Sequence, residues 1–410
     1  MTKPKTEVWI TGIGLVSSLG EGVDAHVELL SAAAPQPVTD AERFTPYPVH
    51  PCVPLEFAKQ IPKRSDQNQM ETWQRLGTYT AGLALEDAGL AKNREFLDRT
   101  NLGVAAGIGE RDSKVDQKVL ETMDENADAD VFAKQVLPSA LKPTLFLAQL
   151  SNLLAGNISI IHNVTGSSRT FMGEEMAGLS AVENAVRRIQ AGQGELFLVG
   201  GAFNAERADV MLPFELGRML WGEAWQPVWK RRKDERGGMV LGSAGAFLVL
   251  EAREHAEARG AKPYAGVAGV VSDRSKRAPG DGADTMRRLF DELGGVEDVS
   301  KTEGPLPVMS GACGVTPVLD EELAFLDTVA KTGRSPATRA YGSLFGHTVE
   351  AHFPLGVALA ALALKQGSLP VPFDDTGAEA PLEDGPVREV LVTGMGHWHG
   401  DGLALVTAVN

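Results

Sequence analysis

Only two cysteines, Cys52 and Cys313, occur in the 410 residues. So few thiols make no disulfide framework, and there is no CxxC pair for zinc or thiol redox work. Basic residues are also short, 39 Lys and Arg against 54 Asp and Glu, for a formal charge of −15. A duplex DNA binder needs clustered cations to displace counterions, so that class is excluded. No long apolar run is present either. The start, MTKPKTEVWITGIG, lacks a signal-peptide core, and the most apolar tract, residues 353–372, is broken by Pro354 and Lys365. A cytoplasmic protein without a membrane span is expected. Two GxG runs, 12–14 and 107–109, lack the rest of a dinucleotide fingerprint, and no GxxxxGK[ST] loop or G-x-S-x-G elbow occurs. Nucleotide binding and serine hydrolysis therefore have no motif to rest on.

What is abundant is apolar sequence and glycine. The hydrophobic share is 43%, and 45 glycines exceed the usual share of about 7%. Apolar strand candidates fall at 7–20, 101–109, 195–203, 239–252, 264–273, 306–314 and 388–396. Between them, 72–90 and 176–194 carry helical spacing. Residues 353–367 are apolar all round, which predicts a helix buried between layers. This alternation predicts an α/β fold with strands covered on both faces. Similar glycine-rich strand starts near residues 7 and 264 suggest two related halves. The acidic stretch 120–132 reads as a surface excursion, the PLEDGP run as a loop, and the basic run Lys230–Lys233 as a surface loop.

Few residues qualify for chemistry. Cys52 lies between two prolines in HPCVP and reads as structural. Cys313, in SGACGVTP, sits at a strand end without a nearby histidine and reads as a buried, inert thiol. His347, where a glycine turn enters the apolar helix, can donate to a developing oxyanion or pack as a capping residue. His352 suits capping contacts only. His397 and His399 in HWHG look like a metal pair, but no third ligand can be assigned. In GSSRTFMGEE (166–175), Ser167 or Ser168 can cap the following helix. Glu174 and Glu175 would lie near its start, where negative charge is favourable.

Read together, four segments resemble the type II elongating β-ketoacyl-acyl-carrier-protein synthases over about residues 7–408. They are VWITGIGLVSSLG, ENAVRRIQAGQGELFLVGGAFNAE, GGMVLGSAGAFLVLEAREHAEARGAKPYAGVAG and FGHTVEAHFPLGVALAALALKQGSLPVP. The resemblance implies a thiolase-like α/β fold, five-layered α-β-α-β-α, with halves at 1–255 and 256–410. It also implies a dimer, acyl carrier protein as partner, and no bound cofactor beyond the phosphopantetheine arm arriving on that carrier.

The family's chemistry uses a cysteine at the start of a central helix and two histidines. Counting back from Gly192, the nucleophile position falls on Glu175; counting forward from Gly156, it falls between Thr165 and Ser167. No cysteine lies anywhere from 53 to 312. The first histidine is replaced by Ala312, the second is retained as His347, and Gly342 stands for the lysine five residues before it. In the glycine-rich gate, Trp398 stands where a phenylalanine would swing.

Without a thiolate there is no covalent acyl-enzyme. The resemblance therefore implies a non-condensing, chain-length-factor-like partner of a cysteine-bearing ketosynthase in fatty-acid or polyketide synthesis, with Glu175 and His347 as the site residues. The alternatives are a malonyl-carrier-protein decarboxylase using His347, a condensing enzyme that recruits Cys313 or a serine, and a homodimeric acyl-binding protein. Carrier docking would need a basic patch, for which Lys230–Lys233 is a candidate.

Overall fold

The computed structural model describes residues 6–107, 109, 120–121, 128–140, 149–232, 237–294, 304–382 and 385–409. Among the described residues one mixed sheet has eleven strands, ten along its main path and a two-residue strand, Gly20–Glu21, paired with the end of the first. Five belong to the first part of the chain: β1 (Val8–Ser17), β2 (Asn101–Ala106), β3 (Ser168–Met172), β4 (Leu196–Phe203) and β5 (Ala244–Ala252). Five follow: β6 (Ala265–Arg274), β7 (Leu306–Ser310), β8 (Pro336–Ala340), β9 (Glu389–Met395) and β10 (Gly400–Thr407). The spatial order is β3-β2-β4-β5-β1 and then β6-β10-β9-β7-β8.

The two sets repeat one plan. In each, the first strand is antiparallel to the fifth, the fifth is antiparallel to the fourth, and the second lies parallel between the third and fourth. The chain is thus a βαβαβαββ unit built twice. The units join where Val8–Ile10 pairs with Ala265–Val267.

The main helices are α1 (Thr72–Asp87), α2 (Leu153–His162), α3 (Glu175–Gln190), α4 (Ala208–Leu216), α5 (Asp281–Glu292), α6 (Thr316–Ala330) and α7 (His352–Gln366). Helices α3 and α7 touch each other and strands of both units, so they form the middle layer. On the outer faces, α1 and α2 cover the first unit, while α5 and α6 cover the second. This is the five-layered thiolase-like arrangement.

The apolar reading of 353–367 holds, since every residue from His352 to Leu364 is buried. All ten residues of β1 are buried as well, which is why that strand is continuously apolar rather than alternating. The described residues of 120–132 lie at the surface, and 122–127 fall outside the described residues. In PLEDGP, Pro381 and Leu382 lie in a loop, and 383–384 are outside the described residues.

The reading of Lys230–Lys233 as a surface loop holds for Lys230 and Arg232, which are exposed, and fails for Arg231. Val228–Arg231 is a short 3-10 turn in which Val228, Trp229 and Arg231 are buried. Lys230 pairs with Asp375 and Arg232 with Asp320, so their charge is already balanced; Lys233 lies outside the described residues.

The middle layer is closely packed. A Cβ at Gly178 of α3 would lie 2.4 Å from the Glu350 carbonyl oxygen and 2.7 Å from the Pro354 ring. Gly178→Val should therefore lose about 1–3 kcal/mol by overpacking. Gly156→Ala, in α2 where the nearest side-chain atom among the described residues is Leu153 Cδ2 at 3.8 Å, should gain about 0.5–1 kcal/mol. Urea unfolding of the two variants checks this, and equal effects would contradict the packing argument.

Candidate active site

Three separate segments converge at the N-terminus of α3. The first is the helix start itself. Glu174 is its non-helical flanking residue and Glu175 its first helical one, and Glu175 is buried. The site position at the helix start is therefore Glu175. Thr165 and Ser167 lie ahead of β3, where their hydroxyls bond to Asp98 and Asn101. The expected serine cap is absent because β3 intervenes: Ser168 is a strand residue, and the flanking residue makes no side-chain cap.

The second segment carries His347. Gly346 precedes it with φ 69°, and a Cβ there would meet the His50 ring at 2.7 Å and Gly242 N at 2.8 Å. The turn therefore needs glycine on both conformational and steric grounds. His347 is then fixed through its backbone, its N–H donating to Val240 O and its carbonyl accepting from Gly242 N.

The third segment is the β9–β10 turn, residues 396–399. Gly396 N donates to Gly400 O at 2.7 Å, and Arg277, just beyond β6, holds the turn by bonding the Gly396 and Gly400 carbonyls and Asp401. This turn points His397 inward. Trp398, expected as the gate, is 53% exposed. The backbone alternates direction here, so the residue before the indole enters the site. His399 is tied elsewhere, its ring facing the Ser275 carbonyl.

One carboxylate oxygen joins these segments. Glu175 Oε1 accepts from His347 Nε2 at 2.6 Å, from His397 Nδ1 at 2.6 Å and from the His397 backbone N–H at 3.2 Å. Burial pushes the Glu175 carboxyl up, but the His397 charge and the donated hydrogen bonds outweigh it and hold the group well below the usual carboxylate range. Burial pulls His397 down, and the Glu175 carboxylate more than reverses this, so His397 is raised. His352 backs His347, with ring centroids 4.4 Å apart. Its Nε2 faces the Gly311 carbonyl and its Nδ1 faces Thr348, which goes beyond the capping role expected of it. Burial, followed by the nearby His347, keeps it well below its ordinary value, hence neutral.

Space around Glu175 is scarce. A void of about 10 Å³ lies against it, lined also by Leu179, Gly311, His352 and Phe353. A larger cavity of about 460 Å³ stops at His397 and Glu174. Its walls are mostly apolar, among them Trp73, Phe203, Val210, Phe214 and Trp398. Glu350 closes part of this wall, and burial pushes its carboxyl up to about 8, so it is mainly neutral at pH 7.

Neither cysteine offers a thiolate. Burial pushes both up to about 12, and Cys313 is fully enclosed. Sequence reasoning located Glu175 and His347, but it left His397 as half of an unassigned pair.

A family model for the β-ketoacyl synthase N-terminal domain matches residues 5–256. The chain belongs to the β-ketoacyl synthase family. Among relatives, 3-oxoacyl-[acyl-carrier-protein] synthase 2 of Vibrio cholerae is 28% identical over 275 residues, which cover 65% of this chain and 62% of the relative. The tetracenomycin polyketide synthase ketoacyl synthase beta subunit of Streptomyces glaucescens is 28% identical over 383 residues, 91% of this chain and 89% of that one. Among solved structures, the ishigamide ketosynthase/chain length factor superposes with a TM-score of 0.79 at 22% identity, covering 99% of this chain and 100% of that one. This last likeness confirms the synthase fold. Among the described residues, no helix is long and apolar enough to cross a membrane.

Two predictions follow from the geometry. Glu175→Ala strands two buried imidazole donors and should cost about 3–5 kcal/mol where both partners are charged. The depressed Glu175 pKa gives stability above 4.5 that is lost as pH falls through the folded value. The raised His397 pKa gives stability below 6.5 that is lost as pH rises through the folded value. The wild-type advantage over Glu175→Ala should thus be greatest between pH 4.5 and 6.5 and shrink by pH 9, as read by urea unfolding. A flat difference would contradict the pairing. Separately, an aromatic disulfide reagent at pH 7.5 should find no fast-reacting thiol in the native synthase homologue and two after unfolding. A rapid single equivalent would expose a reactive cysteine.

Proposed function

We propose that this chain is a non-condensing β-ketoacyl synthase homologue that pairs, in the manner of a chain-length factor, with a cysteine-bearing ketosynthase. The complex would build acyl chains for fatty-acid or polyketide synthesis, fed by acyl carrier protein. The observation carrying this reading is Glu175 at the head of α3, where its ionised oxygen takes up both imidazoles and a backbone N–H. Donors that would stabilise an oxyanion in acyl transfer are thereby occupied by a permanent anion. A carboxylate is also a poor acyl acceptor beside a void too small for an acyl chain.

Other features support a partner role. The similarity to a ketoacyl synthase beta subunit spans nearly the whole chain. Strand β3 ends the sheet, and its outer edge has no neighbour among the described residues. Met172 on β3 and Ile160 on α2 are 72% and 74% exposed, a combination suited to association with another chain. The apolar cavity of about 460 Å³ is of a size to hold part of an acyl group. Decarboxylation of malonyl carrier protein is the weaker reading, because Glu174 and Glu175 would repel the incoming carboxylate.

Incubation with labelled acyl carrier protein, followed by intact-protein mass spectrometry, should leave this chain unmodified. Co-expression with a cysteine-bearing ketosynthase should give a stable heterodimer whose product length changes when this subunit is omitted. A stoichiometric acyl adduct would overturn the reading. So would carbon dioxide release from malonyl carrier protein that disappears in His347→Ala without any heterodimer.

A further inference from the structure

The residues that disable acyl transfer also converge as a metal-ligand set. A Glu175 carboxylate oxygen and one ring nitrogen each of His347 and His397 lie within 4.8 Å of one another, and all three residues are buried. We propose that this cluster binds one Zn²⁺ ion, with Glu175, His347 and His397 as its protein ligands and a fourth position left for water.

The donor set is one carboxylate oxygen and two imidazole nitrogens, the chemistry of a three-ligand zinc site that keeps an open position. Oxygen-preferring Mg²⁺ and Ca²⁺ suit it poorly. Zn–N and Zn–O bonds of about 2.0–2.2 Å put tetrahedral ligand atoms roughly 3.3 Å apart. Both nitrogens now stand 2.6 Å from Oε1, so an opening of under about 1 Å, within rotamer adjustment, admits the ion.

Several features beyond the three ligands favour a cation. Glu175 is a buried carboxylate whose ion-pair partners among the described residues are these two imidazoles alone. The far nitrogen of His397 faces a second carboxylate, Glu174, at 4.0 Å. At that distance Glu174 makes no hydrogen bond to the ring but adds negative charge beside the cluster, which favours a bound cation. Without a metal the Glu175 carboxylate holds the His347 proton on Nε2. His347 Nδ1 is buried and has no hydrogen-bond partner among the described residues, so it can take up the ring proton when a metal replaces that hydrogen bond at the Nε2 lone pair. His397 lines the larger cavity, which gives an entry path. Sequence order hid the set, because HWHG pointed to His397 and His399, whereas His399 belongs to a separate contact.

The test is calorimetric titration of the chelator-stripped full-length chain with zinc chloride, paired with the visible spectrum of the cobalt-substituted protein. One zinc per chain and a four-coordinate cobalt spectrum are expected. His347→Ala and His397→Ala should each weaken binding at least tenfold, Glu174→Gln should weaken it by a smaller factor than either, and His399→Ala should leave it unchanged. Circular dichroism identifies any variant that fails to fold, and His397→Gln, which nearly keeps the volume, then replaces His397→Ala. Absence of stoichiometric zinc would overturn the proposal, as would binding that survives loss of both histidines. Either result leaves the partner-subunit reading intact, since that reading is decided by acylation and heterodimer formation.

Discussion

A single carboxylate oxygen governs this molecule's centre. Glu175 is desolvated by the middle layer, a cost of several kcal/mol for an unpaired ion. Two imidazole N–H groups and one backbone N–H on that oxygen offset it, each worth about 1.5–3 kcal/mol when the acceptor is charged. The donors come from different places. His347 stands on the turn before α7, His397 on the β9–β10 turn, and Glu175 on α3 of the other unit. The pairing therefore fastens the two repeated halves together at the point where their central helices meet.

The same geometry sets the chemistry. In a family that turns over acyl groups at the head of the central helix, an anion there does two things at once. On the proposed function it stands in place of a nucleophile, and it takes up both imidazoles and a backbone N–H as donors. Glycines around it preserve the backbone path, as at Gly346 and Gly178, where larger side chains would collide. The proposed partner role rests on this scaffold, which places a buried carboxylate at the head of the central helix. The nearby cavity ends at His397 and does not reach Glu175.

Much of this was legible in the sequence. Strands β1, β2, β4, β5, β6, β7 and β9 and the helices α1, α3 and α7 stood out because apolar runs and helical spacing survive when an element is buried. Elements without that signal were missed. Strand β3 is a mostly exposed edge, and β8, PATRA, carries a buried arginine satisfied by the carbonyls of Pro370, Thr338 and Ala380. Strand β10 begins inside HWHGDG, at Gly400, so the turn chemistry masks its start. Glu175 and His347 were found through spacing within a recognised pattern. His397 was not placed, because which of two adjacent residues turns inward depends on the register of a hairpin. Likewise, the charges of Lys230 and Arg232 looked free because their partners, Asp375 and Asp320, are remote in sequence.

The central claim is that Glu175 holds both imidazoles as proton donors. Long-range nitrogen–proton NMR of the histidine rings in the metal-free protein tests it most directly. The account predicts protons on Nε2 of His347 and Nδ1 of His397, with both signals displaced in Glu175→Ala. A His347 ring protonated at Nδ1 alone, its Nε2 lone pair free and indifferent to Glu175→Ala, would contradict it.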